Sequence, residues 1–151
     1  MRVLLQRVSE AAVKISGESV GEIQQGFLIL LGIATEDDTS DVDYLIQKIV
    51  QMRVFSDADG KMNLNVQDVQ GELLIVSQFT LHASTKKGNR PSYIKAAKGD
   101  FAKNIYDKFL IKIKSKINKE PKAGIFGADM LVKIENDGPV TIFMDSKNKS
   151  L

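Results

Sequence analysis

The chain has 151 residues, a formal net charge of +2, no cysteine and one histidine, His82. That length suits a single domain over residues 1–151 with a continuous buried core, and the missing cysteines exclude disulfide frameworks, thiolate metal sites and a cysteine nucleophile. A catalytic zinc site needs several nitrogen or sulfur ligands, so one histidine argues against zinc, and we expect no metal and no cofactor.

In chain order, VLLQRV (3–8) and AVKI (12–15) read as strands, and SVGEI (19–23) as a short continuation around turn glycines, the start of a meander. The apolar run at 1–7 is broken too early for a signal peptide or membrane span, so we expect a protein that stays in the cytoplasm. FLILLGI (27–33) is an unbroken apolar run of strand length, which predicts a central strand covered on both faces. An N-cap cluster at 38–41 precedes Val42, Leu45, Ile46, Ile49 and Val50, whose spacing makes one apolar helix stripe. SDADG (56–60) is a turn; its aspartates suggest a calcium loop, but the downstream glutamate and EF-hand spacing are missing. ELLIVSQFTL (72–81) predicts a second strongly apolar strand, running into the polar loop STKKGNR (84–90). Pro91 is placed to begin a helical turn, and Phe101, Ile105, Phe109, Ile113 and Ile117 form the stripe of a long basic helix. MLVKI (130–134) and VTIFM (140–144) close the chain as strands joined by residues 135–139. The pattern is α/β, with mixed β-sheet and two main helices.

Charge is unevenly distributed. Residues 86–122 hold eleven lysines and Arg90 against three acidic residues, a net +9, so the remainder is acidic. One face suited to a polyanion follows from such a layout, although a lysine-rich helix is also an ordinary solvated surface.

Two segments place polar or conformationally special residues inside apolar strands. In the first, strand alternation puts Ser77, Phe79 and Leu81 on one side and Gln78, Thr80 and His82 on the other. A hydroxyl nucleophile with a histidine base is conceivable there, but side chains standing side by side do not converge and no third group orients the ring. The bland alternative is that Ser77 and Thr80 bond nearby backbone. In the second segment, Gly138-Pro139 is a step where cis geometry is cheap, or simply a turn between two strands.

SQFTL (77–81), TKKGNRPS (85–92), GIFGADM (124–130) and NDGPVT (136–141) resemble, in order, the motifs of D-aminoacyl-tRNA deacylases, the DTD family. The opening MRV with QRV (6–8), and Gly32-Ile33, agree, so the resemblance spans the chain; His82 departs from it. It implies a compact twofold dimer with the active site at the interface. Gly138-Pro139 would be a cis step inserted into the partner's pocket, where its carbonyls meet the substrate amino group. Ser77, Gln78, Phe79 and Thr80 would line the hydrolytic side, Phe126 and Met130 would stand near the pocket, and Lys86, Lys87 and Arg90 would hold the tRNA acceptor end. The implied reaction is hydrolysis of the ester joining a D-amino acid, or glycine, to tRNA. L-amino acids are rejected sterically. Such an enzyme must stabilise a tetrahedral oxyanion, for which we expect backbone N–H groups around Phe79 and Thr80. Thr80 as nucleophile and the 2′-hydroxyl of the terminal adenosine assisting water are both open, and the lack of a base favours the second.

Overall fold

The computed structural model describes residues 1–150. Its elements are β1 (Arg2–Ile15), β2 (Glu18–Ile23), β3 (Gly26–Gly32), α1 (Thr39–Gln51), β4 (Phe55–Ser56), β5 (Met62–Leu64), β6 (Glu72–Ser77), a 3₁₀ turn (Phe79–His82), α2 (Gly99–Lys114), β7 (Lys122–Ala123) and β8 (Leu131–Asp145). The main sheet is mixed, ordered β2-β1-β3-β6-β7, with β8 also paired to β1; β4 and β5 form a separate hairpin. This is the expected compact α/β arrangement.

The apolar run at 27–33 becomes β3, flanked by antiparallel β1 and parallel β6. Its alternate side chains feed two cores because successive residues face opposite sides of a sheet. Phe27, Ile29 and Leu31 join Val3, Leu5, Leu73 and Ile75 beneath the helices, while Leu28 joins Val8, Val13, Ile23, Leu74 and Val76 on the other face. On that second face β2 packs against β6 and β7 and closes the smaller core. Each large apolar side chain so buried contributes about 1.5–3 kcal/mol.

The first helix forms as its sequence predicts. Asp38 caps it, accepting from the Ser40 N–H at 2.7 Å, while Asp41 accepts from the Asp38 N–H at 2.9 Å, and Val42, Leu45, Ile46 and Ile49 are buried. In α2, Ala102, Ile105, Tyr106, Phe109 and Ile113 face the core; Ile117 lies beyond the helix end but still packs there.

Four expectations are corrected. The segments 3–8 and 12–15 are one continuous strand, β1. Pro91 begins no helix: Ser84 and Ser92 exchange backbone bonds of 2.8 and 2.9 Å, closing residues 84–92 into a finger. The apolar strand at 72–81 stops at Ser77, and residues 79–82 turn into the 3₁₀ helix. The two closing strands do not pair with each other across a turn. Both lie along β1, Leu131 to Asn136 beside Lys14 to Val8 and Thr141 to Asp145 beside Gln6 to Arg2. Residues 137–140 therefore stand opposite Arg7 alone and bulge out of the ladder.

Candidate active site

The last ladder bond of the β6 end runs from the Gln78 N–H to the Leu31 carbonyl, 2.8 Å. Gln78 then turns (φ −144°, ψ 83°) into the 3₁₀ helix, whose bonds begin with Leu81 N–H to Gln78 O (3.3 Å) and continue with Ala83 N–H to Thr80 O (2.9 Å). The amides of Phe79 and Thr80 precede the first donor of that ladder, as at the start of any helix, and remain available to a ligand. Gly32 makes the turn possible. A Cβ there would lie 2.9 Å from the Gln78 carbonyl oxygen, 3.0 Å from Leu81 Cβ and 3.2 Å from His82 Cδ2. The chain thus folds flat onto the end of β3, a long-range contact that strand propensity in residues 77–82 does not reveal.

This turn replaces the expected alternation of faces. Thr80 and His82 form no pair: His82 is buried against Gly32, and its Nε2 has no hydrogen-bond partner among the described residues. Burial pushes the imidazole below its ordinary value, against a smaller opposing effect of its bond with Gly32 backbone. Thr80 instead meets Gln78, whose Nε2 donates to the threonine Oγ1 at 2.6 Å. With that oxygen accepting, the hydroxyl proton can be given to a ligand.

Ser77, Gln78 and Phe79 line a cleft of about 620 Å³, and Phe126 and Met130 line it as well. Phe79 is 55% exposed and meets Tyr93 edge-on, ring centroids 5.0 Å apart. Phe126 is held by Tyr106, centroids 5.5 Å apart, and Tyr106 donates to the Ile75 carbonyl at 3.1 Å. Sequence reasoning did not single out Tyr93, Lys98 or Ala102, which also line the cleft. Tyr93 follows the polar loop directly and could have been suspected; Ala102 reads only as a helix residue.

Gly138 and Pro139 are exposed, joined by a cis peptide bond, and are not part of this cleft. They sit on the bulge opposite Arg7, which donates through Nη1 to the Val54 carbonyl (2.5 Å) and through Nε to the Asp137 carbonyl (3.3 Å). Its Nε is also 3.1 Å from an Asp137 carboxylate oxygen, and Asn136 Nδ2 donates to the carbonyls of Arg7 (2.9 Å) and Val140 (3.0 Å), closing the base of the bulge. Ser77 aligns with Leu31 and hence Val3, whereas the bulge faces Arg7. Three strand spacings across the sheet and four residues along it separate the two motifs by on the order of 20 Å within one chain.

Lys86, Lys87 and Arg90 are exposed on the finger at 84–92, which leads through Tyr93 to the cleft rim. Several α2 lysines are less available than the charge count implies, because Lys103 pairs with Asp107, Lys112 with Asp43 and Lys114 with Glu120. Among the described residues there is no metal-binding cluster of histidine, cysteine and acidic side chains, and no helix long and apolar enough to cross a membrane.

Comparison with known proteins adds three findings. A family model described as D-Tyr-tRNA(Tyr) deacylase matches residues 4–145. Curated proteins named D-aminoacyl-tRNA deacylase from Flavobacterium johnsoniae and Finegoldia magna are 56% and 55% identical over 149 residues, covering 99% of this chain and 99% and 100% of theirs. A solved chain named c-Myc DNA unwinding element binding protein superposes with a TM-score of 0.91 at 40% identity, covering 96% of this chain and 98% of its own. A second, described as a probable eukaryotic D-amino acid tRNA deacylase, gives a TM-score of 0.78 at 16% identity over 95% and 97% of the two chains and shares the fold.

Proposed function

Because the chain belongs to the D-Tyr-tRNA(Tyr) deacylase family and hydrolyses the ester of D-aminoacyl-tRNA, we propose that its active site is completed across a twofold dimer. The observation that carries this reading is the separation of the motifs. Gln78 and Thr80 stand at the open end of the 3₁₀ turn beside the cleft, while Gly138-Pro139 projects from the sheet elsewhere. A twofold axis beside β8 would bring each bulge to the cleft of the partner. In this reading residues 1–151 act as one domain, and the pair as a homodimer.

The terminal adenosine and the ester occupy the cleft, with Ser77, Gln78, Phe79 and Thr80 on the hydrolytic side and Phe126 and Met130 also against the substrate. Water adds to the ester carbonyl carbon, and the amides of Phe79 and Thr80 receive the oxyanion in a position fixed before the reaction. Collapse breaks the bond to the ribose 3′-oxygen, which takes up a proton, releasing free amino acid and tRNA. Thr80 already accepts from Gln78, so it serves as a donor to the substrate, and the neighbouring 2′-hydroxyl of the tRNA assists water.

The Gly138 and Pro139 carbonyls of the partner bind the substrate ammonium. With ammonium and ester both fixed, an L side chain strikes this wall, a D side chain points out, and glycine has nothing to exclude; selection works by rejection. Lys86, Lys87 and Arg90 bind acceptor-end phosphates. The enzyme works in the cytoplasm, where its substrate is made. Incubating the purified protein with D- and L-aminoacyl-tRNA and following ester loss tests this: D esters and glycyl-tRNA should be cleaved and L esters spared. Equal rates on D and L would overturn the selection by rejection.

A further inference from the structure

We propose that Arg2 is a positioning residue for hydrolysis, acting through the 3₁₀ turn that presents Phe79 and Thr80. The inference rests on that turn being the hydrolytic side of the cleft.

Arg2 begins β1, yet its side chain reaches the turn. Its Nη1 donates to the Leu81 carbonyl at 2.9 Å and its Nε to Asp145 Oδ2 at 2.8 Å. The guanidinium also lies 5.8 Å from the centre of the Phe143 ring, which limits its swing. Asp145 is itself fixed. It is 8% exposed, and its second oxygen accepts from the Lys147 N–H at 2.9 Å. Burial pushes the Asp145 carboxyl up, but the bonds from Arg2 and Lys147 outweigh this and hold it below its ordinary value, so the anion persists. A chain of contacts therefore runs from the end of β8 through Asp145 and Arg2 to the backbone of the turn.

The turn needs such a brace. It is a single 3₁₀ turn, a short element with poor hydrogen-bond geometry, and its cap residue Gln78 makes no side-chain bond to the turn backbone. Its inner side rests on Gly32, and the bond to Leu81 restrains it from another direction. Loss of that bond would let the peptide planes at 79–81 rotate while β6 and its ladder stay intact. Displacement of a reacting group by about 1 Å can cost about 100-fold in rate, and a brace of this kind acts on that scale. The forked guanidinium holds Leu81 O and Asp145 through two donors of fixed geometry, which an ammonium on a flexible stem does not reproduce. The same arginine ties the turn to β8, the strand that carries Gly138-Pro139, so both motifs of one chain share one frame.

The test compares Arg2→Lys, Arg2→Met, Asp145→Asn and the control Thr80→Val in the full-length protein, with D-aminoacyl-tRNA as substrate. Single-turnover kinetics would be combined with residue-resolved amide exchange. The expected result is a kcat about 10- to 100-fold lower for both Arg2 variants with KM changed less than about threefold, and a smaller loss for Asp145→Asn. The amides of Leu81 and Ala83, bonded to Gln78 and Thr80, should exchange faster while those of β3 and α1 do not. Unchanged kcat in Arg2→Lys and Arg2→Met would overturn the inference, as would uniformly faster exchange, which marks global destabilisation. An unimpaired Thr80→Val would overturn the assignment of the turn, a failure separable from that of Arg2.

Discussion

The side-chain amide of Gln78, which lines the cleft, donates to the hydroxyl oxygen of Thr80 beside it at 2.6 Å, so the most suggestive nucleophile of the segment has its oxygen engaged as an acceptor. In the proposed reading such a threonine gives its proton to the substrate, and no base is beside it to make it a nucleophile. Thr80→Val removes a hydroxyl donor to the substrate but leaves the backbone amides in place, so it should lower kcat on D-aminoacyl-tRNA by about 10- to 100-fold without abolishing turnover. Gln78→Ala should cost less. Mass spectrometry of quenched reactions should find no acyl ester on Thr80, and tRNA ending in 2′-deoxyadenosine should be nearly inert. A trapped acyl-Thr80 would reverse this assignment.

Gly138 has φ +118°, and a Cβ there would stand 2.7 Å from Arg7 Nη2 and 3.0 Å from Val140 Cγ2. Gly138→Ala should therefore displace Arg7 from Asp137 and redirect the bulge, at a backbone cost of about 1–2 kcal/mol. Because the bulge is exposed, the fold should survive with Tm lowered by a few degrees. Deacylation should fall by more than about tenfold. Arg7→Lys should reproduce part of that loss, since Lys lacks the fixed fork that bonds the Val54 and Asp137 carbonyls together.

If the site is completed between subunits, defects in the two motifs should complement. A chain carrying Thr80→Val with Gln78→Ala, mixed with a chain carrying Gly138→Ala, should give heterodimers with one intact site, hence about half the activity of the wild-type dimer. Co-purification on two different tags isolates the heterodimer. Activity no higher than in either mutant homodimer would place both motifs in one chain's site.

None of Lys86, Lys87 and Arg90 is paired with a carboxylate among the described residues, whereas three α2 lysines are. The finger should therefore contribute more to the tRNA grip than the helix. Lys86→Ala with Lys87→Ala should lower the slope of log affinity against log salt by about 1–2, whereas Lys103→Ala should scarcely change it. Filter binding across a salt series decides between the two surfaces.

Acid should act on stability in two steps. His82 is buried with its value held below the ordinary 6.5, so the unfolded chain binds that proton first, and stability begins to fall as pH drops below about 6.5. Asp41 is pushed up by burial, but Lys147 and Ser146 outweigh this and bring it down to about 2. Its stabilisation is complete above the unfolded value of 3.8 and is lost as pH falls towards 2; Asp145 shifts in the same direction. Thermal melts from pH 8 to 2 should show both steps. Asp41→Asn should shrink the lower one and leave the upper one unchanged.

Much of the molecule is legible in the linear sequence because it follows from local periodicity. The stripe Val42, Leu45, Ile46, Ile49 and the cap Asp38 specify α1, and the unbroken run at 27–33 specifies a strand covered on both faces. The motifs at 77–80 and 136–141 are visible as polar or special residues within apolar strands, and their resemblance to a known family supplies the activity. Tertiary structure decided how those motifs are presented. Alternation predicted that β6 would carry Thr80 and His82 on one face, but the open contact at Gly32 and the reach of Arg2 to Leu81 fold residues 79–82 into a 3₁₀ turn. Nothing within those four residues encodes it, because the partners lie about fifty and eighty positions away. The bulge at 137–140 is likewise set by register against β1, and Arg7 is its support only because two halves of β8 align on either side of it. A pattern read along one strand carries the period of its side chains; it carries no record of which distant residue will interrupt the ladder.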